Sequence, residues 1–193
     1  MNLVIIDGSV RQGRATERVT KWVKAAADAL EGVEAEVVDL KELAMPMFDE
    51  PILPMMNKNR QPTGGVKTWL DALESADGLV VVTPEYNHAM PSGLKNAIDY
   101  INFQVMHKPF LVVSHGANGG ARSMEQVKQA LNASLGAVPL GNGVTINGMV
   151  GFGDMINESG EINSDEVKKQ EKGLVEKLEL LVKYAEALKR LRV

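Results

Sequence analysis

The sequence predicts an α/β fold in which five parallel strands are covered by helices on both faces. Three observations carry that prediction. Short runs rich in β-branched residues alternate along the chain with segments whose apolar residues recur every three or four positions, the order that produces right-handed crossovers and a parallel sheet. Three of the runs are apolar on both of their alternating faces, as strands buried between two helical layers must be. No internal repeat, low-complexity tract or inter-domain linker interrupts the 193 residues, so a single domain over 1–193 is expected.

In chain order, the strand runs are residues 3–6 (LVII), 34–40 (EAEVVDL), 78–83 (GLVVVT), 109–114 (PFLVVS) and the less apolar 143–148 (GVTING), each bounded by Gly, Pro or polar residues. Between them lie amphipathic patterns: Val19, Trp22, Val23, Ala26 and Leu30; Val66, Trp69, Leu70 and Leu73; Leu94, Ala97, Ile98 and Ile101; Met124, Val127 and Leu131. Each lays one apolar stripe on a sheet. Leu174, Leu178, Leu181, Ala185 and Leu188 mark a closing helix whose stripe could also serve a coiled coil. Two segments are irregular: 44–65 holds four prolines and four methionines, and 151–163 reads as a turn or hairpin.

Composition excludes several classes of function. Hydrophobic residues make up 45% and charged residues 24%, which suits a globular chain and not a disordered one. A net charge of −4 and a pI near 5.5 give no electrostatic basis for general binding to nucleic acid or an anionic membrane. Cysteine is absent, which removes disulfides, thiolate metal sites and the nucleophile of a phosphotyrosine-phosphatase loop. The N-terminus starts on a strand-like run without the pattern of a secretory signal, and no apolar run approaches the roughly 18 residues of a membrane span. A cytoplasmic protein is the expectation.

Chemistry is expected where strands end. After the first strand, Gly8, Ser9 and Arg11 lead to a helix beginning near Ala15 or Thr16. A helix start offers unpaired N–H groups and the positive end of the macrodipole, so a phosphate placed there meets aimed donors. An ordinary cap with solvated arginines is the alternative. Gly8 and Gly13 have the spacing of a nucleotide-triphosphate loop, but Arg14 and Ala15 stand where it needs Lys and Ser or Thr. The G-x-G-x-x-G fingerprint is incomplete too, leaving Asp39, near the end of the second strand, as an isolated candidate ribose ligand.

The third strand runs into Thr83-Pro84-Glu85-Tyr86-Asn87, a turn with an aromatic plane and hydrogen-bonding groups, before a helix beginning near Pro91. A flat heterocycle could lie against it. The fourth runs into "SHGANGGARS", whose Gly116, Gly119 and Gly120 let backbone approach a ligand closely. Either loop alone could be structural; three on one sheet edge point to a common ligand.

"GSVRQGRATERV", "TPEYNHAMPSGLKNAIDYI" and "SHGANGGARSMEQVKQAL" resemble the NADPH-dependent FMN reductase family of flavodoxin-like proteins, which includes quinone, azo-dye and chromate reductases; the resemblance covers residues 1 to about 148. It implies a three-layer sandwich with sheet order 2-1-3-4-5 and bound FMN. It also implies that Ser9, Arg11, Ala15 and Thr16 hold the phosphate, with Arg14 and Arg18 competing for Arg11's charge role. Pro84, Glu85, Tyr86 and Asn87 would hold the ring and ribityl chain, and Ser114, Gly116 and Gly119 the other ring edge. The implied activity is hydride transfer from NADPH or NADH through FMN to small-molecule electron acceptors in a ping-pong cycle, with no catalytic side chain, by a homodimer or homotetramer.

Two other readings stay open on the residues: a flavodoxin-type electron carrier without pyridine-nucleotide activity, and a dinucleotide-binding protein without flavin that depends on Asp39. His88 could be an acid or merely a contact, and the role of His115 is open. Lys95 and Asp99 have the spacing of an exposed helical pair. No His, Asp and Glu cluster has metal-ligand spacing. An arginine for the extra phosphate of NADPH could be Arg14, Arg60 or Arg122.

Overall fold

A computed structural model, which describes residues 1–148 and 155–192, contains the predicted sheet. Strands β1 (Asn2–Asp7), β2 (Glu34–Asp39), β3 (Gly78–Pro84) and β4 (Pro109–Gly116) are parallel and lie in the order β2-β1-β3-β4. The fifth position, beside β4, is filled in two pieces, β5 (Val138–Pro139) and β6 (Val144–Asn147). The expected strand at 143–148 is thus the second half of an interrupted one. Phe110 pairs with Pro139 and Val113 with Val144, so residues 140–143 bulge out opposite two residues of β4. Gly143 permits that approach, since a Cβ there would stand 2.3 Å from the Val112 carbonyl oxygen. Proline is tolerated in β5 because the strand is at an edge.

The two faces of the strands define the layers. Leu3 and Ile5 of β1, Val80 and Val82 of β3, and Leu111 and Val113 of β4 pack under α1 (Thr16–Asp28) and the closing helix, which together supply Val19, Trp22, Val23, Leu174, Leu178 and Leu181. Val4, Ile6, Leu79, Val81, Phe110 and Val112 face the opposite layer, which includes Trp69, Leu73, Leu94, Ile98 and Val127. That layer is α3 (Gly64–Ser75), α4 (Ser92–Asp99) and α5 (Ala121–Gln129), the last extended by one π-helical turn over Ala130–Ser134. The closing stripe therefore lies on the chain's own sheet. Its helix, α6 (Asp165–Leu188), starts at Ser164, whose hydroxyl accepts from the Val167 N–H.

A one-turn helix, α2 (Leu40–Leu43), follows β2 and leads into the irregular segment, which contains a 3₁₀ turn at Pro54–Met56. Side chains fasten that segment to the core. Buried Asn96 donates to the Pro46 carbonyl and accepts from the Phe48 N–H, while Arg60 forks onto Glu50 and donates to the Tyr100 carbonyl. Of 151–163, the described part, 155–163, is a hairpin bridged at Ile156 and Ile162; 151–154 lie outside the described residues. No helix among the described residues is long and apolar enough to cross a membrane.

Register positions the site. Asp7 ends β1 beside Val82, and Pro84 lies in β3 beside His115 of β4. The three loops that follow these strands consequently emerge side by side on one edge of the sheet, as expected for ligand loops of parallel α/β folds.

Candidate cofactor-binding site

The first loop is braced from within. The Gly8 N–H donates to the Val82 carbonyl at 2.9 Å, and a Cβ on Gly8 would meet that same oxygen at 2.7 Å, so only glycine fits. Ser9 is buried; its N–H donates to Asp7 Oδ1 and its hydroxyl meets the Tyr86 hydroxyl at 2.8 Å. Gly13, at φ +63°, turns the chain into α1. Arg14 points inward: its guanidinium pairs with Asp7, at 3.4 Å, and with Asp39. Burial pushes the Asp7 carboxyl up to about 6, although the Arg14 charge and the Ser9 N–H act against that rise.

Helix α1 begins at Thr16 with Ala15 as its N-cap, and no side chain caps it. Its first-turn N–H groups therefore lack the partner a capping hydroxyl or carboxylate provides. The Thr16 hydroxyl is turned into the wall, 3.0 Å from His115 Nε2. Burial lowers the His115 pKa to about 4, so its ring is neutral near pH 7.

The second loop is a tight reversal. Tyr86 and Ala89 exchange both backbone hydrogen bonds at 3.0 Å, with Asn87 at φ +49° and His88 at φ +65° between them. Positive φ at both central residues is the signature of a type I′ turn, in which asparagine is favoured. Tyr86 reaches back to the first loop, where Arg11 donates to its hydroxyl from Nε and lies over its ring at 5.8 Å. Glu85 accepts from both the backbone N–H and the guanidinium of Arg122, at 3.0 and 2.9 Å. Burial opposes the Glu85 charge, but these two donors outweigh it and hold the carboxyl below its ordinary pKa.

In the third loop, the Ser114 hydroxyl donates to the Gly119 carbonyl at 2.6 Å. Gly119 and Gly120 have φ of +67° and +71°, values that favour glycine. The Glu85 N–H donates to the His115 carbonyl, joining the second and third loops.

These loops surround a cleft of about 680 Å³. Its walls are Arg11, Gly13, Arg14, Ala15, Glu17, Arg18 and Lys21 from the first loop and α1, Pro84, Glu85 and Tyr86 from the second, and His115 from the third, with Gly148 and Glu158 completing them. Of the expected site residues, Arg11, Ala15, Pro84, Glu85 and Tyr86 line the cleft. Ser9, Thr16 and Ser114 are fully buried, their hydroxyls spent on holding the loops together. Gly119 is buried, Gly116 half-buried and Asn87 exposed, and none of the three is in the cleft wall.

The structure also assigns the other candidates. Arg14, Arg60 and Arg122 each pair with a carboxylate of the chain. Asp39 pairs with Arg14 and caps α2 by accepting from the Lys41 N–H, two structural tasks that account for its place at the end of β2. His88 is exposed in its turn, and Lys95 and Asp99 form the expected exposed pair. No group of three or more His, Asp or Glu suited to a metal occurs among the described residues. Sequence reasoning passed over Lys21 and Glu158. Lys21 had a signal, standing three residues past Arg18 on one face of α1; Glu158 had none, because only the fold of the 155–163 hairpin brings it to the cleft.

Comparison with known proteins identifies the family and the fold. The NADPH-dependent FMN reductase profile matches residues 1–150. The chain is 36% identical over 126 residues to an NAD(P)H-dependent FMN reductase of Schizosaccharomyces pombe, a match covering 65% of this chain and 63%, just under two thirds, of that relative. It is 34% identical over 141 residues to an NAD(P)H-dependent FMN reductase of Saccharomyces cerevisiae (68% of this chain, 74% of the relative), and 32% over 138 residues to a quinone reductase of Escherichia coli (68% and 69%). Among solved structures, the flavoenzyme NAD(P)H:(acceptor) oxidoreductase FerB of Paracoccus denitrificans superposes with a TM-score of 0.74 at 21% identity, covering 96% of this chain and 97% of the other. Oxidised flavodoxin 1 of Bacillus cereus superposes with a TM-score of 0.56 at 15% identity, covering 95% and 98%. The fold is flavodoxin-like, and the chain belongs to the NADPH-dependent FMN reductase family.

Proposed function

We propose that this chain, folded as one domain over 1–193, is an FMN-dependent oxidoreductase that takes hydride from NADPH or NADH and passes the electrons to quinone, azo, flavin or metal-oxyanion acceptors. One observation carries the reading: a single open cleft has the uncapped start of α1 in its wall together with the Pro84–Tyr86 loop. Phosphate and flat ring need those two surfaces within one ligand's length of each other.

The residues fit FMN. The phosphate end is served by the backbone N–H groups at Ala15 and Thr16 and by the Arg11 guanidinium, which faces the cleft without a carboxylate partner among the described residues. Pro84, Glu85 and Tyr86 form the side for the ring and ribityl chain, and Asn87 shapes the turn behind them. Ser114, Gly116 and Gly119 support the other ring edge, through backbone that Ser114 and the positive-φ glycines hold in shape. Ser9 and Thr16 act as braces, tying the phosphate loop to Tyr86 and His115. FMN held there would supply the hydride and electron transfer between the nucleotide and a second substrate. The protein's own task is to position both partners, so no side chain is assigned a proton-transfer role.

Family membership favours the enzyme over a flavodoxin-type carrier, and Asp39's engagement with Arg14 and α2 argues against a flavin-free dinucleotide site. A homodimer or homotetramer is supported by the exposed apolar side chains Met47, Ile52, Leu53, Met56 and Phe103. Use of reduced nicotinamide nucleotides supports a cytoplasmic location. Steady-state reduction of a quinone by NADPH or NADH is expected to give parallel double-reciprocal lines. An FMN-loaded protein that oxidises neither nucleotide yet exchanges electrons with a separate reductase would establish the carrier instead.

A further inference from the structure

The first loop is not the only cationic surface of the cleft. Arg18 lines it from the first turn of α1 and Lys21 from the second. Lys21 stands five residues past the first residue of the helix, about 7.5 Å along its axis, so it belongs to a part of the wall beyond the helix start. The three arginines that could have met the extra phosphate of NADPH are each committed: Arg14 to Asp7 and Asp39, Arg60 to Glu50, and Arg122 to Glu85.

What Arg18 and Lys21 hold now is loosely held. Glu158, whose side chain is 90% exposed, places Oε1 3.6 Å from the Arg18 guanidinium. Lys21 Nζ donates to the Glu158 carbonyl at 2.9 Å and pairs with Glu17 at 3.0 Å, an exposed helical pair of small worth. The hairpin itself is seated firmly. Gly160, at φ +90°, lies so close to α1 that a Cβ would stand 2.7 Å from the Lys21 Cβ and 2.9 Å from the Trp22 N. A fixed hairpin thus presents a solvent-exposed carboxylate to a cation in the cleft, at a place another anion can take.

We propose that Arg18 and Lys21 form the subsite for the ribose 2′-phosphate of NADPH, with the Glu158 carboxylate occupying that place until the nucleotide arrives. The inference rests on the NAD(P)H reading above and names the residues that discriminate between the two nucleotides. A dianionic phosphate outcompetes a single exposed carboxylate for a guanidinium and an ammonium because it brings more charge and more acceptor oxygens to the same donors. NADH, lacking that group, leaves the Arg18–Glu158 pair undisturbed.

The test uses full-length protein loaded with FMN. Arg18→Gln is expected to lower kcat/KM for NADPH about tenfold or more and to leave that for NADH within about twofold, with FMN affinity unchanged. Glu158→Gln is expected to raise the NADPH to NADH ratio. A second measurement needs no turnover: calorimetry should show adenosine 2′,5′-bisphosphate binding more tightly than 5′-AMP, with the difference lost in Arg18→Gln and reduced in Lys21→Gln. An unchanged NADPH to NADH ratio in Arg18→Gln overturns the proposal, as does a loss of FMN affinity there with equal losses for both nucleotides, which would give Arg18 to the FMN phosphate. Should the wild-type protein oxidise neither nucleotide, the oxidoreductase reading fails, while the calorimetric comparison still decides whether Arg18 reads a 2′-phosphate.

Discussion

Replacing Arg14 by methionine is expected to destabilise the fold by about 3–5 kcal/mol, the usual cost of leaving a buried charge without its partner. The Arg14 side chain is only 4% exposed, and Asp7, 1% exposed, has its carboxylate against it. Removing the guanidinium also leaves Asp7 beside Asp39, two like charges that Arg14 now separates. Urea midpoints would measure the loss; a change under about 1 kcal/mol would show that the triad is not holding the first loop. Asp7 adds a pH signature. Its pKa is raised from 3.8 to about 6, so the native state binds this proton more tightly than the unfolded chain does. The stability it contributes is present below about 4 and is lost as pH rises through about 6. Asp7→Asn should abolish that slope, and Arg14→Met should cost less in the Asp7→Asn background than alone.

Gly120→Ala is expected to cost about 3 kcal/mol and to abolish FMN binding. Left-handed backbone costs an alanine about 1–2 kcal/mol, and Gly120 has φ +71°. The new Cβ would also stand 2.8 Å from the His115 carbonyl oxygen and 2.9 Å from the His115 N, which are backbone atoms with no room to yield. Relief would displace His115, and with it the Glu85 N–H that its carbonyl accepts from and the Thr16 hydroxyl beside its ring. Gly173→Ala in α6 is the control. Nothing lies within 4 Å of its built Cβ, so that change should stabilise the helix by up to about 1 kcal/mol. Equal effects of the two substitutions in thermal unfolding would contradict the assigned strain.

Period and order made the sheet legible. Apolar residues on both faces of 78–83 and 109–114 could only be covered twice, and every helical stripe named in the sequence packs on the layer its register dictates. The fifth strand was half legible because β5 contributes only Val138 and Pro139, too short to show alternation. At the site, loop positions were readable but side-chain directions were not. Ser9, Thr16 and Ser114 look like ligand donors in sequence, yet burial turns their hydroxyls onto Tyr86, His115 and Gly119. Arg14 looked like a phosphate cation. Its partners, Asp7 and Asp39, end strands paired in register, a juxtaposition no local pattern encodes.

The visible absorption spectrum of the purified protein tests the central claim most directly. If the three loops hold FMN in the cleft beside α1, bands near about 370 and 450 nm accompany the protein, as expected of a bound oxidised isoalloxazine, and bleach when NADPH or NADH is added. A colourless protein that takes up no added FMN would contradict the account.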